Sequence, residues 1–266
     1  MIKQEFFKIF KSAKSRVIFI IMNSIAVISA LDVLIDYFRH SAEIGGIKSN
    51  AAYAAMLSAG VTIIPYYEIF EWILPIYFML AYCDKYVAER KRGMHYIYLS
   101  KIGRKKLFFS KILTSFLVPY IFCGIPYLLN LGILSVFLHD GTFFGGAESW
   151  DIETAGEFLY NCMRHPYTTY FFYMFSALFV FGLLCVMCQS LCILFNDNKM
   201  AYIISFSVWL GIYYTFDLLI VNEAIQPFVF GYTPQGSVLS ILKFLPAVVI
   251  PLVLAYIRIT VKKDEI

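Results

Sequence analysis

The sequence predicts an all-α membrane protein, a single domain over residues 1–266 with six transmembrane helices. Three observations predict it. A mean hydropathy of +0.71, with 60% hydrophobic and only 15% charged residues, exceeds what a soluble globule of 266 residues can bury. Several apolar runs of about 20 residues match the thickness of a hydrocarbon core. The cations are also confined: of the 22 Lys and Arg, all but Arg39, Lys48, Arg164 and Lys243 fall at one set of span ends.

Residues 1–15 come first. Ile2, Phe6, Ile9, Phe10 and Ala13 recur at i, i+4, i+7, i+8 and i+11, while Lys3, Lys8, Lys11 and Lys14 mostly point elsewhere. This spacing predicts an interfacial helix lying in the plane of an anionic leaflet. The segment is too polar for the apolar core of a secretory signal, and no A-x-A-like cleavage site follows it. Spans are predicted at 17–37, 62–83, 112–138, 168–195, 201–221 and 238–258. The positive-inside rule places both termini in the cytoplasm. The opposite loops are acidic, with Glu43, Asp140, Glu148, Asp151, Glu153, Glu157 and Glu223.

Between spans two and three, residues 84–111 are dense in Lys and Arg. Positive-inside bias alone explains the charge, so the pattern has to add something. Over 86–99, Val87, Met94 and Tyr98 group with Tyr86, Gly93 and Ile97, opposite Glu89, Arg90, Lys91 and Arg92. That predicts a short amphipathic helix, a break at Gly103, and a second helix that leads from "RKKLFFSKIL" into span three.

This stretch resembles the permease subunits of ABC exporters of the ABC-2 type. Their first cytoplasmic loop carries E-R-x-x-G, a short apolar helix, a Leu and small polar turn, an Arg, and a Lys at the start of span three. Here Glu89, Arg90 and Gly93, then Leu99, Ser100 and Arg104, then Lys111 occupy those places. Lys101 stands for the usual proline, Gly103 for a Ser or Thr, and Met94 for a Thr. The resemblance implies a coupling helix, with Met94, Ile97 and Tyr98 on its face, seated in a groove of an ABC ATPase. It also implies a pair of such ATPases, a second permease copy or paralogue, and a bacterial plasma-membrane location. Residues 222–237, "NEAIQPFVFGYTPQGS", would be a re-entrant outer segment. No G-x-x-x-x-G-K-[ST] occurs, so ATP and Mg would be handled by the partner, with no cofactor in this chain. The expected partners also include membrane lipid and exclude nucleic acid. The expected cargo is amphipathic or hydrophobic: an antimicrobial peptide, a drug or a lipid.

A second constellation lies within the spans: Asp32, Asp36, Glu68, Glu71, Asp217 and Lys243. At about 1.5 Å per residue, Glu71, Lys243 and Asp217 lie roughly 18–24 Å above the cytoplasmic ends, in one outer layer. The layer reads either as an acidic vestibule for cationic cargo or as an ion-paired network around Lys243. Cys185, Cys188 and Cys192, at i, i+3 and i+7, read as packing residues, because no His or carboxylate joins them; no disulfide and no metal site are expected.

Two rival classes remain. A membrane-embedded enzyme would rely on the Glu68/Glu71 pair, since G-x-S-x-G and histidine boxes are absent and no catalytic residue is otherwise nominated. A non-transporting immunity or binding protein would have no use for a coupling loop.

Overall fold

The structure, a computed structural model, describes residues 2–40, 49–58, 64–142, 164–195, 197–217 and 234–260, which are almost entirely helical, with no β-strand among them. Helix α1 (Ile2–Lys11) is followed at Ser12 by α2 (Ala13–His40). Along α2 the stripe Ile18, Met22, Ala26, Ala30 and Leu34 is buried, while Ile20, Ile28, Leu31 and Ile35 lie exposed on other faces. One face packs on protein and the other is apolar and uncovered, the pattern of a helix against lipid.

A short buried segment follows: α3 (Ala51–Ala54) and a 3₁₀ turn (Met56–Ser58). Asn50 caps α3 by accepting from the Ala52 N–H at 2.9 Å and donates to the Gly141 carbonyl at 3.1 Å. Deeper, the Met56 N–H donates to Asn130 Oδ1 at 2.8 Å, and Asn130 Nδ2 donates to the Ala26 carbonyl at 2.9 Å. Gly141 sits at the end of the helix that carries Asn130, and Ala26 lies near the middle of α2, so this segment dives from the rim toward the centre of the bundle. A Cβ on Gly141 would lie 2.0 Å from the Ser49 carbonyl oxygen, so only glycine permits the approach at the rim.

The second predicted span is not one helix. It is cut into α4 (Ile64–Trp72), α5 (Leu74–Phe78) and a π-helical turn (Met79–Cys83), which runs on into α6 (Asp84–Lys91). The cause is Pro75, which has no N–H to give the Glu71 carbonyl. Trp209 takes over that acceptor, its indole N–H donating to Glu71 O at 3.1 Å. Beyond α6 come α7 (Met94–Ile102), α8 (Arg104–Phe122), α9 (Gly124–Leu138), α10 (Pro166–Phe195), α11 (Asn198–Asp217) and α12 (Pro234–Thr260).

Helix α10 is the centre of the bundle: 78% of its most apolar window is buried, against 33% for α2. It packs on α8, α11 and α12. At Gly182 a Cβ would meet the Phe116 ring at 2.8 Å, so α8 and α10 touch backbone to side chain. Among the described residues, α2, the continuous α8–α9 pair (Arg104–Leu138) and α10 are long and apolar enough to cross a membrane; the apolar part of α12, Phe244–Thr260, is shorter.

Candidate functional site

The loop between the cut second span and α8 is built by two left-handed glycines. Gly93 (φ 74°) ends α6 and opens α7; Gly103 (φ 85°) ends α7 and opens α8. Nothing lies within 4 Å of a Cβ built on either, so glycine is required there by backbone conformation and not by space. The expected grouping of Tyr86 and Val87 with Met94 and Ile97 is therefore corrected. The break at Gly93 turns Tyr86 and Val87 into the core, whereas Met94, Tyr96 and Ile97 stand 37%, 44% and 55% exposed.

Behind this exposed helix lies a closed ring of four charges. Lys111 Nζ donates to Glu5 Oε2 and Glu89 Oε2, each at 2.7 Å. Lys8 Nζ donates to the other oxygen of each, Glu5 Oε1 at 2.9 Å and Glu89 Oε1 at 2.8 Å. Lys111 is only 2% exposed. Every carboxylate oxygen in the ring has a cationic donor and every cation has two carboxylates, which is the condition for a buried ionic cluster to be tolerated. Lys8 also lies 4.6 Å from the centre of the Tyr98 ring. Helices α1, α6, α7 and α8 are thereby tied at one point.

The charges respond accordingly. Burial pushes the Glu5 carboxyl up, but the attraction of Lys111 and hydrogen bonds from Lys111 and Lys8 more than reverse it, leaving it below its ordinary value. Burial disfavours the Lys8 ammonium, and its bonds to Glu89 and Glu5 overcome this and raise it. A second tie runs alongside. Lys14 pairs with Asp84 at 3.0 Å, Lys85 donates to Ser15 Oγ at 2.8 Å, and Ser15 Oγ donates to the Ala81 carbonyl at 2.6 Å. Burial raises Asp84 and lowers Lys85 to about 8.

Of the residues singled out from sequence, Glu89 thus faces inward to the ring, Tyr98 lies beneath Lys8, Met94 and Ile97 face outward, and Arg90 and Arg104 are half-buried. Glu5 and Lys8 were missed. Their one local signal is an i, i+3 spacing that any surface ion pair shares.

The intramembrane set does not gather around one point among the described residues. Tyr66 donates to Asp32 Oδ2 at 3.2 Å, joining α2 and α4. Asp36 pairs with His40 at 3.1 Å at the exposed end of α2. Glu68 is half-buried, whereas Glu71 is fully buried within electrostatic reach of Cys123 and Tyr127. Asp217 and Lys243 lie on α11 and α12, and their side chains are outside the described part, as are residues 222–233 of the expected re-entrant segment. A diving segment is found at 49–58. Cys185, Cys188 and Cys192 are buried where α10 meets the π-helical turn, Cys185 Sγ 3.9 Å from Cys83 Sγ and Cys192 Sγ 3.5 Å from Met79 Sδ. Among the described residues no group of three or more His, Cys, Asp or Glu is placed to hold a metal ion.

No protein-family model matches the chain, and no solved structure matches it. It is similar to "Uncharacterized protein YybM" of Bacillus subtilis (strain 168), with 29% identity over 254 residues that cover 93% of this chain and 96% of that protein. The likeness runs over nearly the whole length of both chains, and that name assigns no activity.

Proposed function

We propose that the chain is the membrane subunit of an ATP-driven exporter, crossing the plasma membrane six times with both termini in the cytoplasm and energised by a separate pair of ABC ATPases. The observation that carries this reading is α7: a short helix set off by two left-handed glycines, with Met94 and Ile97 exposed and a buried ionic ring behind it. An exposed apolar helix on a mobile tether would transmit nothing. One seated on a ring that joins α1, α6 and α8 passes any push directly into the apolar helices. Exposed Lys91, Arg92 and Lys101 flank the apolar tip and suit an apolar groove with an acidic rim. ATP and Mg belong to the partner. A second copy or paralogue completes the pathway, and the cargo is amphipathic or hydrophobic.

The test is mild-detergent purification of the tagged chain from its native membranes, with mass spectrometry of what co-elutes. A stoichiometric ATPase is expected with the native chain and with a Gln4→Glu control, and is expected to be lost from the Met94→Glu/Ile97→Asp variant. A native chain that elutes without any ATPase would overturn the reading. Glu89→Lys is a poor first variant, because it would break the ring itself.

A further inference from the structure

Helices α8 and α12 leave the apolar bundle side by side, with Phe108 and Phe109 packed on Tyr256 at ring-centre distances of 5.4 and 6.4 Å. Just beyond that contact lies a groove of about 360 Å³ lined by Ile102, Gly103, Arg104, Lys105, Lys106 and Thr260. Among the described residues, three successive cations face one small space, no acidic side chain lines it, and none of the three has an ion-pair partner. The positive charge calls for an anion.

The surroundings specify what kind. On α8, Phe109 and Leu113 continue the face of Lys105 at i+4 and i+8, and both are exposed. On α12, Ile257, Val253 and Ile250 continue the face of Thr260, and they are exposed as well. A cationic groove thus opens onto bare apolar surface on each of the two helices. A free phosphate would use the first and leave the second uncovered. Thr260 adds a further constraint, since its hydroxyl already donates to the Tyr256 carbonyl at 2.7 Å and leaves acceptor lone pairs for a hydroxyl donor.

We propose that this groove binds a phospholipid with an anionic, hydroxyl-bearing headgroup, the phosphate held by Arg104, Lys105 and Lys106 and the acyl chains laid along Phe109, Leu113 and Ile257. The site rests on the chain's being a membrane protein and not on the ATPase partner, so the two can fail separately. Because α8 is the helix that carries Lys111, a lipid held here braces the base of the helix that closes the charged ring.

The experiment is reconstitution into vesicles of phosphatidylcholine and phosphatidylglycerol at 3:1, extraction in mild detergent and native mass spectrometry. Phosphatidylglycerol is expected to be retained in preference to phosphatidylcholine, at about one molecule per chain. Its occupancy should fall about tenfold in Arg104→Gln/Lys105→Gln/Lys106→Gln and stay unchanged in Arg39→Gln/Arg164→Gln/Lys199→Gln, which removes the same charge elsewhere. Thr260→Leu, which fills the groove without changing charge, should lower occupancy too and serves if the triple variant does not fold. Equal retention of the two lipids, equal loss in both triple variants, or displacement of the lipid by inorganic phosphate would overturn the site.

Discussion

Lys111 Nζ lies 2.7 Å from Glu5 Oε2 although 106 positions separate the two residues, and both side chains are nearly inaccessible to solvent. Replacing Lys111 by Met leaves two carboxylates facing a single lysine, a change expected to cost about 3 kcal/mol, in the range for breaking a buried ion pair. Adding Glu5→Gln should recover part of that loss, since it removes the carboxylate left behind. Thermal unfolding of the four chains of this double-mutant cycle, in one detergent, measures the coupling; additive losses would mean that the two residues do not interact.

Acid should loosen the same joint. Glu5 titrates below its ordinary 4.5, so its contribution is present above that value and is lost as pH falls through its depressed one. Lys85 works in the opposite sense: burial lowers it from 10.5 to about 8, so the fold carries a cost below pH 8 that is relieved between 8 and 10.5. The melting temperature is therefore expected to fall below about pH 4.5, less steeply in Glu5→Gln, and to gain from pH 8 to 10.5 a component that Lys85→Met removes.

At Gly93 and Gly103 there is room for a side chain but no comfortable backbone for one. Substitution by Ala should cost about 1–2 kcal/mol at Gly93, with Asn milder and Val worse in the order of their tolerance of the αL basin, whereas at Gly103, whose ψ of 152° lies outside that basin, Asn should be no milder than Ala. Limited proteolysis of α7 reads the outcome. The reverse order, with Val tolerated best, would show that φ is not the constraint.

Asn130 holds the diving segment through two hydrogen bonds, to the Met56 N–H and the Ala26 carbonyl. Asn130→Leu keeps the volume but leaves the Met56 N–H with no acceptor, while the Ala26 carbonyl keeps its partner within α2, an expected loss of about 1–3 kcal/mol for one buried unsatisfied group. A cysteine placed at Met56, inaccessible to thiol reagents in the parent chain, should become reactive in that background.

Much of the fold is legible from periodicity and length: α10 follows its expected boundaries closely because it is one uninterrupted run, and α1 and α2 are present where expected, although the break falls at Ser12 and gives Ala13 and Lys14 to α2. The cut second span is less so. Pro75 sits in plain view, but the donor that satisfies the freed Glu71 carbonyl comes from Trp209, 138 positions on, and nothing local announces it. The segment 49–58 reads as a loop because its residues are small and its depth is set by Asn130, a lone amide in an apolar span. At the site, Glu89, Gly93 and Lys111 are visible as a spaced motif, whereas Glu5 and Lys8 look like one more solvated helical pair. Hydropathy sees which side chains prefer water; it does not see which distant charges will exclude it together.

The ring also sets an order of events in synthesis. Glu5 and Lys8 are made about 100 positions before Lys111, and until Glu89 and Lys111 follow they have only each other and water. At about 5–20 residues per second the interval from Lys8 to Lys111 is on the order of 5 to 20 s. Helix α1 is thus docked only after the cut second span and the first turns of α8 have been made, and a nascent chain stalled before Lys111 leaves α1 without the ring that anchors it.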